Sequence, residues 1–448
     1  MTRFLNSLGP HQLLVFGFGS AILIGAILLT LPIASEDGTA TNFLDALFTA
    51  TSAVCVTGLV VVDTATHWST FGELIIMLLI QVGGLGIMTF AGLFAILLGK
   101  KIGLKERLVL QEALNKVSVS GVVRLVKHIL ITTLIIETAG TVILTLRFLK
   151  EMPFGQAVYY GIFHSISAFN NAGFDLFGAV TGEFTSLTSF VTDPIVSMTI
   201  AFLFIIGGLG FSVLMQIVFI RNHKKWSLHT KIVLLTSFAL LGIGFLVIMT
   251  LEWNNPNTLK ELPLVDKIIS TFFTAATPRT AGFNTLDTAG LRVPTQFFII
   301  VLMFIGASSG STGGGVKTTT FASIILATKA TVSGKGSTTA FKRTVPGELV
   351  SKASAIVFIS LSWVILVSLL LAISEAGDFL TTLFEATSAF GTVGLSMGLT
   401  GGLSEFGRVL IIITMFLGRL GPLTLMYAIA QRQVKAKYRY PEEQMLVG

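Results

Sequence analysis

Long apolar runs alternate with short polar ones along the whole chain. Uncharged stretches extend from Phe4 to Ser35, Leu74 to Gly99, Pro194 to Ile220, Ile232 to Leu251, Val293 to Val316 and Ala353 to Ser374. Each meets the ~20 residues an α-helix needs to cross a bilayer. Two more, Ile129 to Leu146 and Val409 to Gln431, are interrupted by one charge each, Glu137 and Arg419. The pattern predicts an all-α polytopic membrane protein with eight spans.

Between the members of each span pair lies a segment too apolar for a free loop and too short to cross. These segments are residues 47–59 (LFTATSAVCVTGL), 162–174 (IFHSISAFNNAGF), 271–283 (TFFTAATPRTAGF) and 383–395 (LFEATSAFGTVGL), and they align without gaps. Phe48, Phe163, Phe272 and Phe384 share one column, and Ser52, Ser167, Ala276 and Ser388 another. Gly58, Gly173, Gly282 and Gly394 form a third, spaced 115, 109 and 112 residues apart. The following spans align too: GGLG at Gly83 to Gly86 and Gly207 to Gly210, then Gly306-Ala307-Ser308-Ser309 and Gly418-Arg419-Leu420-Gly421. Such self-similarity marks a repeat architecture. The expected repeats are residues 1–115, 116–226, 227–345 and 346–431, with a cytoplasmic tail over 432–448.

Composition sharpens this picture. Charged residues make up only 12% of the chain, about half the usual share in soluble domains. The net charge of +7 would admit nucleic acid as a partner, but the charges are not spread evenly. With Glu73, Glu137, Lys317 and Arg419 set aside, segments on one side of the eight spans hold 21 basic and 5 acidic residues, and those on the other side 7 basic and 16 acidic. By the positive-inside rule both termini are cytoplasmic. The basic surplus is thus mostly topology, no nucleic acid is expected, and the outer acids can concentrate cations at a vestibule. Cys55, the one cysteine, excludes an internal disulfide framework and a Cys-based zinc site. Six scattered His without HExxH leave little basis for a metal enzyme.

Each repeat begins and ends inside, so the four are parallel and can surround an axis along the membrane normal. The short segments are expected to enter from outside as half-helices and return as extended backbone. Such backbone is tolerated at membrane depth only when buried in protein or facing a wet cavity. Four converging helix C-termini favour a cation on the axis, and carbonyls beyond them can replace its hydration shell. Glycine allows the φ values that such turning needs. The alternative, that these glycines serve only helix packing or a tight turn, must account for four in register.

The motifs Val56-Thr57-Gly58, Asn171-Ala172-Gly173, Thr280-Ala281-Gly282 and Thr392-Val393-Gly394 resemble the four degenerate filter sequences of the Trk/Ktr/HKT potassium transporters. The resemblance covers essentially the whole chain. The compact size, the segment Gly103 to Arg107 and the short basic tail look most like the bacterial Ktr membrane subunits. In that family a glycine in all four filters accompanies potassium selectivity, and serine in the first filter accompanies sodium-preferring plant members. Gly58 therefore implies potassium as the transported ion. The resemblance also implies four helix–pore-loop–helix repeats around a central pseudo-fourfold pore in a bacterial plasma membrane. It further implies a homodimer, a cytosolic nucleotide-binding ring of RCK-domain subunits of the KtrA/KtrC type, and sodium as a candidate activator. No cofactor is expected in this chain.

Residues Gly306, Ala307, Ser308, Ser309, Gly310, Ser311, Thr312, Gly313, Gly314 and Gly315 are too rich in glycine and hydroxyls for a continuous helix in lipid. They are expected to interrupt the sixth span, the only one clearly broken. The resemblance assigns Gly306 to Lys317 the role of an intramembrane gating loop; the alternative is a kink that packs closely on a neighbour. A Walker A reading fails because Val316 separates Gly315 from Lys317. Arg419 is expected to face the cavity, where it would raise the barrier for cations or hold the gating loop by its carbonyls. The family's arginine here is assigned to limiting permeation. An ion pair with Glu137 is the structural alternative. Arg279 stands just before a filter and either braces it from outside or is a solvated charge at the mouth. A coupled secondary transporter with alternating access and a membrane-embedded enzyme are the readings from other classes. The enzyme lacks a constellation of acids, His or nucleophiles.

Overall fold

The computed structural model describes residues 9–86, 122–220, 222–429 and 443. The basic cluster at Lys100, Lys101, Lys105 and Arg107, and the expected tail apart from residue 443, lie outside them. Within each quarter of the chain a long helix, a short helix and a second helix follow one another. In order these are α1 (Pro10–Thr30), α2 (Phe43–Cys55) and α3 (Thr70–Leu85), then α4 (Val122–Phe148), α5 (Phe154–Phe169), α6 (Pro194–Leu209) and α7 (Phe211–Phe219). Next come α8 (Leu228–Glu252), α9 (Leu264–Ala276), α10 (Val293–Phe304) and α11 (Thr318–Val332), and finally α12 (Gly347–Ser374), α13 (Phe379–Gly391), α14 (Glu405–Leu420) and α15 (Pro422–Ile429). A two-residue hairpin, β1 (Thr339–Ala340) with β2 (Arg343–Thr344), is the only sheet among the described residues.

Local chemistry sets many helix starts. Asn42, Ser69, Asp193, Ser227, Asp378 and Ser404 cap α2, α3, α6, α8, α13 and α14 by accepting backbone N–H groups that have no partner within the helix. Among the described residues, α1, α4, α8 and α12 each contain a stretch long and apolar enough to cross a membrane, and the bent pair α6 and α7 together makes a fifth. Their exposed faces carry residues such as Ile24, Leu134, Phe238 and Phe358, as expected of surfaces that meet lipid.

The second helices do not match the continuous spans expected from sequence. Helix α3 stops at Gly86 (φ 82°), α14 at Gly421 (φ 82°), and α6 turns into α7 at Gly210 (φ 94°) with a 99° bend. Helix α10 stops at Phe304, and the chain becomes helical again only at Thr318. The break foreseen for the sixth span alone therefore occurs in every quarter. Its cause in three of them is a glycine in a conformation that other residues rarely adopt.

Packing runs in a cycle. Helix α3 lies against α5, α6 against α9, α10 against α13, and α14 against α2. Each second helix thus packs on the short helix of the next quarter, and the fourth returns to the first. Arg408 on α14 pairs with Asp45 on α2 across this closing contact. In three quarters the first glycine of the GGLG-type motif lets the second helix approach the short helix of its own quarter closely. A Cβ on Gly83, Gly207 or Gly418 would overlap the main-chain carbonyl of Val54, Phe169 or Phe390, column-equivalent residues of the short helices.

A fully buried carboxylate, Glu252, holds the C-terminal end of α8 to α10. It accepts hydrogen bonds from Thr295 Oγ1 (2.5 Å), the Arg292 N–H (3.0 Å), Asn255 Nδ2 (2.5 Å) and Thr258 Oγ1 (2.8 Å). Glu252→Ala should strand these donors and lower stability by about 2–4 kcal/mol. Thermal unfolding in detergent checks this; an unchanged midpoint contradicts it.

Candidate functional site

The four short helices end where their glycine turns begin. Val56, Asn171, Thr280 and Thr392 take left-handed conformations, with φ of 52°, 59°, 73° and 50°. Two residues later Gly58, Gly173, Gly282 and Gly394 again have positive φ, at 89°, 72°, 83° and 93°. The small-residue column ties each turn back to its helix. Ser52 Oγ accepts from the Gly58 N–H (3.0 Å) and Ser388 Oγ from the Gly394 N–H (3.1 Å), while Ser167 Oγ donates to the Phe174 carbonyl (2.7 Å). The third segment has Ala276 in this column, and its neighbour Thr277 donates to the Phe283 carbonyl instead (2.5 Å).

The turns meet in cyclic order. A Cβ on Gly58 would lie 2.5 Å from the Ala172 carbonyl oxygen, one on Gly173 2.9 Å from that of Ala281, and one on Gly282 2.6 Å from that of Val393. A Cβ on Gly394 would meet the Thr57 carbonyl, which closes the circle. The middle residues Thr57, Ala172, Ala281 and Val393 thus present carbonyls toward the neighbouring glycine, and only glycine leaves room for them.

Two cavities flank this ring. One, of about 400 Å³, opens on the side that the charge count places outside and is lined by all four glycines with Asp63, Asp175 and Asp287. No basic residue lines it among the described residues. Burial pushes the Asp175 carboxyl up to about 7, and the Asp63 charge acts in the same direction. The negative charge of this cavity therefore grows as pH rises toward and through 7. The other cavity, of about 260 Å³, is lined by Gly84, Gly86, Gly313, Gly315, Lys317, Lys352 and Arg419.

The Gly306 to Lys317 segment lies between the ring and this second cavity. Thr312 Oγ1 donates to Asn171 Oδ1 (2.7 Å), and the Gly314 N–H donates to Thr392 Oγ1 (3.0 Å). A Cβ on Gly313 would overlap Thr280. Backbone bonds hold the segment to the broken helices: the Ser308 N–H to the Gly208 carbonyl (3.1 Å), the Phe211 N–H to that of Gly310 (2.9 Å), and the Gly315 N–H to that of Gly418 (3.3 Å). Lys317 Nζ donates back to the Gly313 carbonyl (2.7 Å).

Arg419 reaches two carbonyls, Thr312 in this segment and Gly83 at the end of α3. It does not meet Glu137, which removes the ion pair considered from sequence. Glu137 instead accepts from Gln81 and Asn170. Arg279 is not at the mouth either. Its guanidinium donates to the carbonyl (3.1 Å) and Oγ (3.0 Å) of Ser237 in α8, behind the third turn. Sequence could not give that direction, because residues 279 and 237 are 42 apart and Ser237 carries no charge. Cys55 is buried at the end of α2, in keeping with a packed residue.

Comparison with known proteins places this arrangement. The family model described as TrkH, cation transport protein, matches residues 12–437, and the chain belongs to that family. It is 46% identical to the Ktr system potassium uptake protein B of Bacillus subtilis, over 98% of this chain and 97% of that protein. It is also 40% identical to the potassium/sodium uptake protein NtpJ of Enterococcus hirae, over 100% and 99%. The crystal structure of the potassium transporter TrkH from Vibrio parahaemolyticus shares its fold, with a TM-score of 0.69 and 19% identity over 93% of this chain and 85% of that one. Relatives across this set are named as transport proteins.

Proposed function

We propose that this chain is the ion-translocating subunit of a potassium uptake system, with the four glycine turns forming a selectivity filter on a pseudo-fourfold axis. The observation that carries this reading is the cyclic contact of the turns, in which the Thr57, Ala172, Ala281 and Val393 carbonyls each lie against the glycine of the neighbouring turn. Carbonyl rings of this kind can replace the hydration shell of potassium. The helix C-termini behind them and the acidic outer cavity add a field that favours cations. The Gly306 to Lys317 segment, hydrogen-bonded to the underside of the filter, acts as the gate, with Arg419 as its anchor and as a fixed positive charge. The names of the Bacillus and Enterococcus relatives support potassium as cargo, and the word "system" in the former supports a multi-component assembly. In that assembly the chain is a homodimer in a bacterial plasma membrane with both termini cytoplasmic. An RCK-type partner carries the regulatory nucleotide, and sodium acts as a stimulant.

A coupled carrier is the second reading, and the breaks at Gly210 and Gly421 favour it, because carriers bind ions at discontinuous helices. The head-to-tail cycle of parallel repeats weighs toward a pore. Liposomes containing the purified protein, given a potassium or a sodium gradient alone, separate the two. A pore passes potassium selectively down its own gradient, with no second ion required. Flux that needs another ion in fixed ratio establishes the carrier.

A further inference from the structure

A carboxylate at membrane depth is costly unless its oxygens are well satisfied. Glu137 is nearly fully buried on α4, and among the described residues no cation pairs with it. Its Oε1 accepts from Asn170 Nδ2 (3.0 Å) and its Oε2 from Gln81 Nε2 (3.2 Å). Asn170 Nδ2 also donates to Gln81 Oε1 (2.8 Å), closing a triangle across α3, α4 and the end of α5. The Asn170 side chain is clamped as well as bonded. A Cβ on Gly84 would overlap it, so the amide has no space to swing toward α3.

Asn170 directly precedes Asn171, the filter residue with φ 59°. A non-glycine residue in that conformation persists only when its surroundings hold it there. The column-equivalent residue of the third repeat, Arg279, does the same thing by other means. It points away from the ring, ties to Ser237 on the first helix of its own repeat, and precedes Thr280 with φ 73°. The remaining two positions of the column are Cys55 and Gly391, which carry a short side chain and none. Two of the four turns are therefore tied from behind by a polar side chain, and the tie in the second repeat ends on a carboxylate.

We propose that Glu137 is a positioning residue for ion selection: through Asn170 it fixes the turn of Asn171, Ala172 and Gly173, and so sets part of the discrimination between potassium and sodium. The proposal rests on the filter reading above. Its readout is the ratio of potassium to sodium flux in liposomes, because a residue needed only for folding changes the amount of active protein and not the ratio. Glu137→Ala and Asn170→Ala are each expected to lower the ratio about tenfold, the scale of one lost hydrogen bond in a buried site. The double variant should lose little more than either alone. Glu137→Gln keeps one acceptor oxygen and should recover much of the ratio. A wild-type ratio in Glu137→Ala or Asn170→Ala overturns the proposal. Should neither be recovered folded, Gln81→Ala decides: a reduced ratio supports the tie and an unchanged one rejects it. An unselective wild-type protein would sink the filter reading itself, a separate and distinguishable failure.

Discussion

Gly58→Ser should carry sodium far more readily relative to potassium than the wild-type protein does. The added Cβ would stand 2.5 Å from the Ala172 carbonyl oxygen and 3.1 Å from the Gly173 Cα, both main-chain atoms that cannot rotate aside. Serine must also adopt the φ of 89° that glycine takes without strain. The first and second turns must separate, and the Ala172 carbonyl must leave its place in the ring. A shift of that kind costs at least about 1.4 kcal/mol of discrimination, or a tenfold fall in the potassium-to-sodium flux ratio. Gly173, Gly282 and Gly394 stand in the same relation to their neighbours, so alanine or serine at any of them should act in the same direction. Equal ratios in Gly58→Ser and wild type would remove the turns from ion selection.

Arg419→Ala should raise potassium flux. Its guanidinium holds Thr312 of the 306–317 segment, the proposed gate, and Gly83 of α3 together, so its loss frees the segment from one of its ties. It also removes a positive charge beside the proposed ion path. At roughly 8 Å and an effective dielectric of about 20 that charge opposes a potassium ion by ~2 kcal/mol, which corresponds to a rate about thirtyfold higher without it. Arg419→Lys separates the two effects, because lysine keeps the charge but cannot fork onto two carbonyls. Raised flux in both variants identifies the anchor as dominant, whereas raised flux in the alanine variant alone identifies the charge. Unchanged flux in both would reduce Arg419 to a structural tie.

The sequence discloses the repeat because each short helix needs the same residues at the same places. An aromatic buries the helix, a small hydroxyl closes the turn, and a glycine admits the neighbouring carbonyl. The substitution of Ala276 in the third repeat is informative, because Thr277 supplies the missing hydroxyl from the next position. Other features were not legible. GGLG was visible as an alignment, yet the breaks at Gly86, Gly210 and Gly421 were not, since hydropathy continues unbroken through a turn of the backbone. For Glu137 the sequence offered only Arg419 and not its actual partners, because Gln81 and Asn170 are neutral and lie 56 and 33 residues away. Arg419 was readable as a residue that needs satisfaction. One of its acceptors, a carbonyl of the 306–317 segment, was among the expectations from sequence; the other, the Gly83 carbonyl at the end of α3, was not.

The central claim is that a potassium-like ion is held by the carbonyls of Thr57, Ala172, Ala281 and Val393. Crystals soaked in thallium, which substitutes for potassium and scatters anomalously, test it most directly. The account predicts an anomalous peak on the axis of the four turns, one that excess potassium displaces and sodium does not. Peaks confined to the acidic outer cavity, or none on the axis, would contradict it.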